Sequence, residues 1–158
     1  MDPQVRKKAL RMISYGVYIL TSKAENEVAG CTVTWVSQAS MNPPMIMVGL
    51  EKESHTYQVV QKSGKFVVHF LGQGQKEIAQ KFFKPGVFED GKIHGFACRT
   101  GVTGVPILVD VPAYIECRAL ETVGQGDHHV VVAEVIGAGV QHNLPPLSLR
   151  ETGWSYGG

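Results

Sequence analysis

The sequence has almost no excess charge and no long apolar run. Its 15 lysines and arginines nearly balance 14 aspartates and glutamates, for a formal net charge of +1. This balance provides no field that would attract nucleic acid or an acidic surface. No stretch approaches the roughly 20 apolar residues of a membrane span, and charged residues interrupt the apolar ones at the start of the chain. We therefore expect no nucleic-acid partner, no membrane association and no signal peptide.

Cysteine and metal-binding patterns are also sparse. Cys31, Cys98 and Cys117 form an odd set without CxxC spacing, which argues against a disulfide framework and favours a reducing, cytoplasmic location. The histidines show no HxH or HxxxH spacing, so a zinc or iron site has little support. The chain also lacks GxGxxG and GxxxxGK[ST], the signatures of a Rossmann domain and a P-loop.

Strand-forming residues dominate what is present. Runs of β-branched and aromatic residues predict about six strands, namely GVYILTS, CTVTWVSQAS, MIMVGL, KFVVHFL, AYIECRALETV and HVVVAEVIGAGV. Helical spacing predicts short helices over 4–13, 54–62 and 75–83, with Ser54 as N-cap and Gly64 just beyond the second helix. Residues 87–105 carry four glycines and little periodicity, which predicts a long loop.

This order of elements predicts the fold class. Strands follow one another without the strand–helix alternation of a parallel sheet, which favours a mainly β, antiparallel barrel with a few short helices. A length of 158 residues fits one domain covering 1–158. The low charged fraction of 18% also suits a chain that buries further surface by self-association.

Three groups of residues are candidates for a site. Lys52, Ser54, His55 and Thr56 lie at a predicted helix start, where free N–H groups favour a phosphate; the structural alternative is that Ser54 only caps the helix and Lys52 is solvated. His128, in a Gly-Asp-His turn, is a candidate that also has a structural alternative. The strand before Pro43 is unusually polar, with Thr32, Thr34, Trp35, Ser37, Gln38 and Ser40, and suits either a flat heteroaromatic ligand or a half-solvated face.

A resemblance extends over nearly the whole chain. The segments GCTVTWVSQASMNPPMIMVGL, KESHTY, KFVVHFLG, EIAQKFF, GVPIL, AYIEC, GDHHVVVAEV and ETGWSYGG occur in this order. In that order they resemble the flavin reductase-like, FMN-binding split-barrel family, which includes flavin reductases, flavoredoxins and the reductase modules of diflavin proteins. The resemblance implies a mainly β, antiparallel Greek-key split barrel of about six strands that forms a homodimer, with one flavin per subunit near the dimer interface.

The resemblance also implies roles for individual residues. The isoalloxazine ring and ribityl chain would lie along Thr32, Thr34, Trp35, Val36, Ser37, Gln38 and Ala39. Lys52, Ser54, His55 and Thr56 would bind the phosphate. Leu71, Gly72 and Phe83 would make further flavin contacts, and His128 would face the exposed side of the ring, where a nicotinamide stacks. The chain departs from the family at His69, where Asn is common.

The activity implied is hydride transfer from NADH or NADPH to bound FMN, with FAD as the alternative flavin. Because the chain carries no rubredoxin-type CxxC pairs, electrons would pass to free flavin or to a separate partner such as a redox protein or a monooxygenase component. The rival interpretation is a flavoredoxin-like electron carrier, which accepts electrons from a protein without using a nicotinamide nucleotide. Reduction of the bound flavin by NADH or NADPH distinguishes the two.

Overall fold

Eleven strands and four short helices form the protein in the computed structural model, which describes residues 1–158. The helices are α1 (Pro3–Leu10), α2 (His55–Ser63), α3 (Lys76–Lys81) and α4 (Leu149–Thr152). The strands are β1 (Tyr18–Ala24), β2 (Glu27–Val33), β3 (Val36–Ser40), β4 (Met45–Glu51), β5 (Lys65–Phe70), β6 (Phe88–Glu89), β7 (Lys92–Ile93), β8 (Phe96–Thr100), β9 (Pro106–Leu108), β10 (Ala113–Val123) and β11 (His128–Val140). None of the helices has the length and apolar character needed to cross a membrane.

The strands form two antiparallel sheets. The larger has seven strands in the order β2-β1-β5-β10-β11-β4-β3, and the smaller has the order β6-β7-β8-β9. β2 and β3 lie at opposite edges of the larger sheet, yet only Thr34 and Trp35 separate them in the chain. The sheet must therefore curl until its two edges come close, although no ladder joins β2 to β3.

Two apolar clusters hold this arrangement together. The first lies between the curled sheet and α2, and includes Leu20, Phe66, Val131 and Val60, all fully buried. The second joins α3, the smaller sheet and the segment before α4. α2 packs against the first cluster through Val60. The helix begins where the Ser54 side chain accepts the N–H of Tyr57, and it ends at Gly64, which has a φ of 67°.

Much of the expected secondary structure is confirmed. The protein is mainly β with antiparallel sheets, and the three predicted helices are present, although α1 ends at Leu10 and α3 at Lys81. The larger sheet has seven strands where about six were expected. The predicted single strand over 31–40 was wrong, because the backbone leaves the ladder at Thr34 and Trp35 to change sheet edge.

The prediction of a loop over 87–105 was also wrong. β6, β7 and β8 lie in this segment, joined by two-residue turns at Asp90-Gly91 and His94-Gly95. All four turn residues have positive φ, the backbone geometry that tight hairpins of antiparallel strands require. The strands are too short to produce a visible alternation of apolar and polar residues.

His69 is fully buried where the two sheets meet. Its Nδ1–H donates to the carbonyl oxygen of Ile19 at 2.9 Å, and its Nε2 accepts the N–H of Leu108 at 2.9 Å. This pairing requires a neutral ring. Burial accordingly lowers the pKa of His69 to about 4 from its ordinary 6.5, against the opposing effect of the Ile19 hydrogen bond.

Acid is therefore expected to weaken the fold through His69. The His69 ring takes up a proton near pH 6.5 in the unfolded chain but only near pH 4 in the folded chain. The stability that the neutral ring contributes is therefore fully present above pH 6.5 and is lost as the pH falls from 6.5 to 4. Between pH 7 and pH 5 the free energy of unfolding should fall by about 2 kcal/mol through this residue. Urea unfolding of the wild type and His69→Asn at both pH values measures it. Equal pH dependence in the two proteins would contradict this account.

Candidate functional site

A cavity of about 420 Å³ lies where the two edges of the larger sheet come together; we call it the first cavity. Its walls come from seven parts of the chain. They are Val17 before β1, the end of β2 with Thr34 and Trp35, the end of β4, the start of α2, the segment after α3, the start of β11, and the C-terminal residues Leu149 and Trp154–Tyr156. Both apolar and polar groups line it, as is usual for small-molecule sites.

Two polar atoms in this wall have no partner within the protein. Thr34 Oγ1 and Trp35 Nε1 are buried and make no hydrogen bond, and they are the two side-chain atoms of the chain in this condition. Both belong to the residues that connect β2 to β3 and line the first cavity. Since buried polar groups are nearly always paired, this pair indicates a ligand that supplies an acceptor to Trp35 and a partner to the Thr34 hydroxyl.

The start of α2 forms another part of the wall. Ser54, His55 and Thr56 line the cavity, and the first N–H groups of a helix have no partner within it. His55 Nε2–H donates to Glu27 Oε1 at 2.6 Å, a contact that lowers the pKa of Glu27, and Lys62 reinforces it. Lys52 is exposed and does not line the cavity, although its backbone N–H donates to the Asp127 carbonyl oxygen at 3.0 Å.

His128 lies at the mouth of the cavity and is held on three sides. Its Nδ1–H donates to Asp127 Oδ1 at 2.9 Å, so its Nε2 accepts the O–H of Tyr156 at 2.7 Å. The Trp35 ring lies against the imidazole, with centroids 4.5 Å apart. The hydrogen bond from His128 lowers the pKa of Asp127, and burial raises the pKa of Tyr156. Asp127 therefore stays ionised and Tyr156 stays a donor at neutral pH.

The cavity contains no reactive nucleophile. Cys31 lines it, but burial raises the pKa of its thiol to about 11, so the thiolate that would react is absent at neutral pH. Glu51 and Lys84 also line it, together with His55 and His128. This arrangement can bind and orient a flat polar ligand, and it holds the His128 imidazole beside it.

The chain matches the family model described as flavin reductase like domain over residues 10–153. It belongs to this family. Among curated proteins, it is 30% identical over 150 residues to the NADH-dependent flavin reductase StyB of Pseudomonas fluorescens, covering 94% of this chain and 85% of StyB. Two other relatives are much longer, and the chain spans 23% and 42% of their lengths.

Solved structures of flavin proteins share the fold. The flavin reductase of a styrene monooxygenase from Pseudomonas putida has a TM-score of 0.74 at 28% identity, over 89% of this chain and 88% of that one. An FMN-binding protein from Thermus thermophilus has a TM-score of 0.73 at 25% identity, over 82% and 72% of the two chains. The mainly β fold therefore agrees with the family to which the sequence belongs.

The first cavity brings together many of the residues that the sequence singles out for a flavin site. Its wall includes Thr32, Thr34, Trp35, Ser54, His55, Thr56, Phe83 and His128. The remaining candidates lie elsewhere. Val36, Ser37, Gln38 and Ala39 follow the cavity on the edge strand β3 and are partly or fully exposed, Leu71 is buried in the second apolar cluster, and the N–H of Gly72 donates to Gln75 Oε1 at 2.9 Å.

Sequence reasoning missed part of this site. Trp154 and Tyr156 close one wall, and Tyr156 contacts His128 directly. The aromatic, glycine-rich C-terminus indicated docking, but not where it docks. Glycines also shape the wall, since a Cβ on Gly49 would lie 3.1 Å from the Trp35 ring and one on Gly157 would lie 2.8 Å from it. Close approach to Trp35 thus explains both glycines.

The residues present fit a flavin. The unpartnered Trp35 N–H and Thr34 hydroxyl match a ring with hydrogen-bonding groups on its rim, and the start of α2 offers N–H groups to a phosphate. Phe82 borders the same space, and Gly30 permits its close approach, because a Cβ there would lie 3.0 Å from the ring. Apolar contact and polar rim groups therefore occur in one cavity, as an isoalloxazine requires.

Proposed function

We propose that the first cavity binds FMN and that the protein uses NADH or NADPH to reduce it. The observation that carries this proposal is the pair of unpartnered buried atoms on Thr34 and Trp35, two residues that line a cavity together with the start of α2. Family membership and the likeness to an NADH-dependent flavin reductase support it. The choice of FMN over FAD rests on the single phosphate-binding helix start and on the FMN-binding structural relative.

When bound, the isoalloxazine ring accepts a hydride from the reduced nicotinamide. The chain itself binds and orients. Thr34 and Trp35 hold the polar rim, Ser54, His55 and Thr56 hold the phosphate, and Phe83 and Thr32 complete the walls. His128, fixed between Asp127 and Tyr156, orients the nicotinamide at the cavity mouth.

The quaternary structure and the context belong to the same proposal. α1 buries none of its side chains, and Val5, Leu10, Met12 and Ile13 are 62, 44, 75 and 53% exposed around it. We propose that a second copy covers such surface in a homodimer, that the curled sheet is the split barrel of the family, and that the free thiols reflect a cytoplasmic location. A solution mass of 17.2 kDa would contradict the dimer.

A monooxygenase component is the proposed consumer of the reduced flavin, as the name of the styrene monooxygenase reductase suggests.

An anaerobic absorbance measurement tests the function. The FMN-loaded protein is mixed with NADH and then with NADPH, and the flavin band is followed. Rapid bleaching is the expected result, and the faster nucleotide is the preferred donor. A bound flavin that neither nucleotide reduces would overturn the reductase function and favour an electron carrier. A colourless protein that leaves FMN fluorescence unchanged would overturn flavin binding itself.

A further inference from the structure

A second cavity of about 370 Å³ lies beside the first, between the end of α1 and α4. The two share one wall, formed by Leu149, Trp154, Ser155 and Tyr156. Tyr156 is also the residue that contacts His128 at the mouth of the first cavity. A ligand that extends past Tyr156 can therefore occupy both cavities.

The second cavity is basic. Arg11 and Arg150 line it, and no aspartate or glutamate does. Neither arginine takes part in any of the four ion pairs of the chain. The nearest acidic residue in sequence, Glu151, uses its carboxylate to cap α4 through Ser148. Two arginines without carboxylate partners are suited to an anion, and the planar guanidinium group matches a phosphate in particular.

The remaining lining suits a nucleotide. Arg11 Nε donates to the Gly157 carbonyl oxygen at 3.2 Å, which fixes the side chain and leaves its terminal N–H groups free. Ser14 and Ser155 are exposed hydroxyls in the same wall, and Tyr15 is a half-buried aromatic ring that lies 6.4 Å from Trp35 between centroids. Cations, hydroxyls and an aromatic face are the groups that phosphate, ribose and base require.

We propose that the second cavity binds the pyrophosphate and adenosine end of the nicotinamide dinucleotide, with Arg11 and Arg150 as its phosphate-binding residues. This inference rests on the proposed function, which places the nicotinamide beside His128. From there the molecule passes Tyr156, and its phosphates reach the two arginines. The wall shared by the two cavities thus lies between the nicotinamide ring, which reacts, and the pyrophosphate and adenosine, which supply binding energy.

The test compares two hydride donors on the FMN-loaded protein. NADH carries the pyrophosphate and adenosine, whereas 1-benzyl-1,4-dihydronicotinamide carries neither. Arg11→Gln and Arg150→Gln are each expected to lower kcat/KM for NADH by about fivefold, with no change for the benzyl compound. Arg118→Gln is the matched control, because Arg118 lies exposed on β10, away from α1, and lines neither cavity.

Binding of ADP gives a readout that does not depend on turnover. Calorimetry is expected to detect ADP binding to the wild type and its loss in the double arginine variant. Unchanged NADH kinetics, an equal loss with both donors, ADP binding retained by the double variant, or an equal effect of Arg118→Gln would each overturn the inference. In all four cases FMN binding and bleaching by NADH persist, whereas a failure of the proposed function would abolish them.

Discussion

Replacing Thr34 by Val and Trp35 by Phe together is expected to weaken FMN binding by about a hundredfold, since each change removes one hydrogen bond in a buried site. Thr34→Val is nearly isosteric, whereas Trp35→Phe also removes ring contacts with His128 and Tyr156, so each single variant is measured beside the double variant. Titration of FMN fluorescence against the purified apoprotein measures the dissociation constant. An affinity equal to that of the wild type would mean that these two atoms do not face the flavin.

Thr34→Val alone has a second, opposite effect. In the flavin-free protein the Thr34 hydroxyl is buried without a partner, so its removal should raise the free energy of unfolding by about 1 kcal/mol. Thr32→Val is the matched control on the same cavity. The Thr32 hydroxyl donates to the Ala79 carbonyl oxygen at 2.7 Å, and its loss should lower stability instead. Urea unfolding of the two apoproteins gives the signs, and the same sign for both would contradict this assignment.

His128→Ala is expected to slow the reduction of bound FMN by NADH about a hundredfold, the usual cost of a misplaced reactant, while FMN affinity stays close to that of the wild type. The ring lies at the cavity mouth against Trp35 and makes no contact with the start of α2. Stopped-flow measurement of the flavin band gives the rate.

Tyr156→Phe accompanies this variant as its control. It removes the O–H that His128 Nε2 accepts but keeps the ring against Trp35, 5.2 Å away between centroids. We expect a smaller loss of rate, because Asp127 still holds Nδ1–H. Loss of bound flavin in His128→Ala would contradict a role at the nicotinamide and would place His128 among the flavin-binding residues.

The sequence predicts local features well. Ser54 and Gly64 mark the limits of α2 because capping chemistry acts over a few residues. The Asp90-Gly91 turn could also have been found, since Asp-Gly is the strongest short-range hairpin signal, but the strands it joins have two residues each.

Long-range features could not be predicted in the same way. The run from Cys31 to Ser40 contains β-branched, aromatic and polar residues with no glycine or proline to interrupt it. Nothing local shows that it divides between two edges of one sheet. That division depends on the pairing of β4 with β11, which is distant in sequence. The contact of Tyr156 with His128 joins residues 28 apart, and only the assembled fold brings them together.

The two-residue link between β2 and β3 also bears on how the chain folds. β4 pairs with β11 so that Met45 lies opposite Glu134, and β5 pairs with β10 so that Phe70 lies opposite Ala113. Chains dominated by such distant pairings have high contact order and fold slowly. Thr34 and Trp35 reach their final positions only when both edges are in place. A ligand held there therefore raises the free energy of global unfolding by mass action, and it should protect amide hydrogens on both edge strands from exchange.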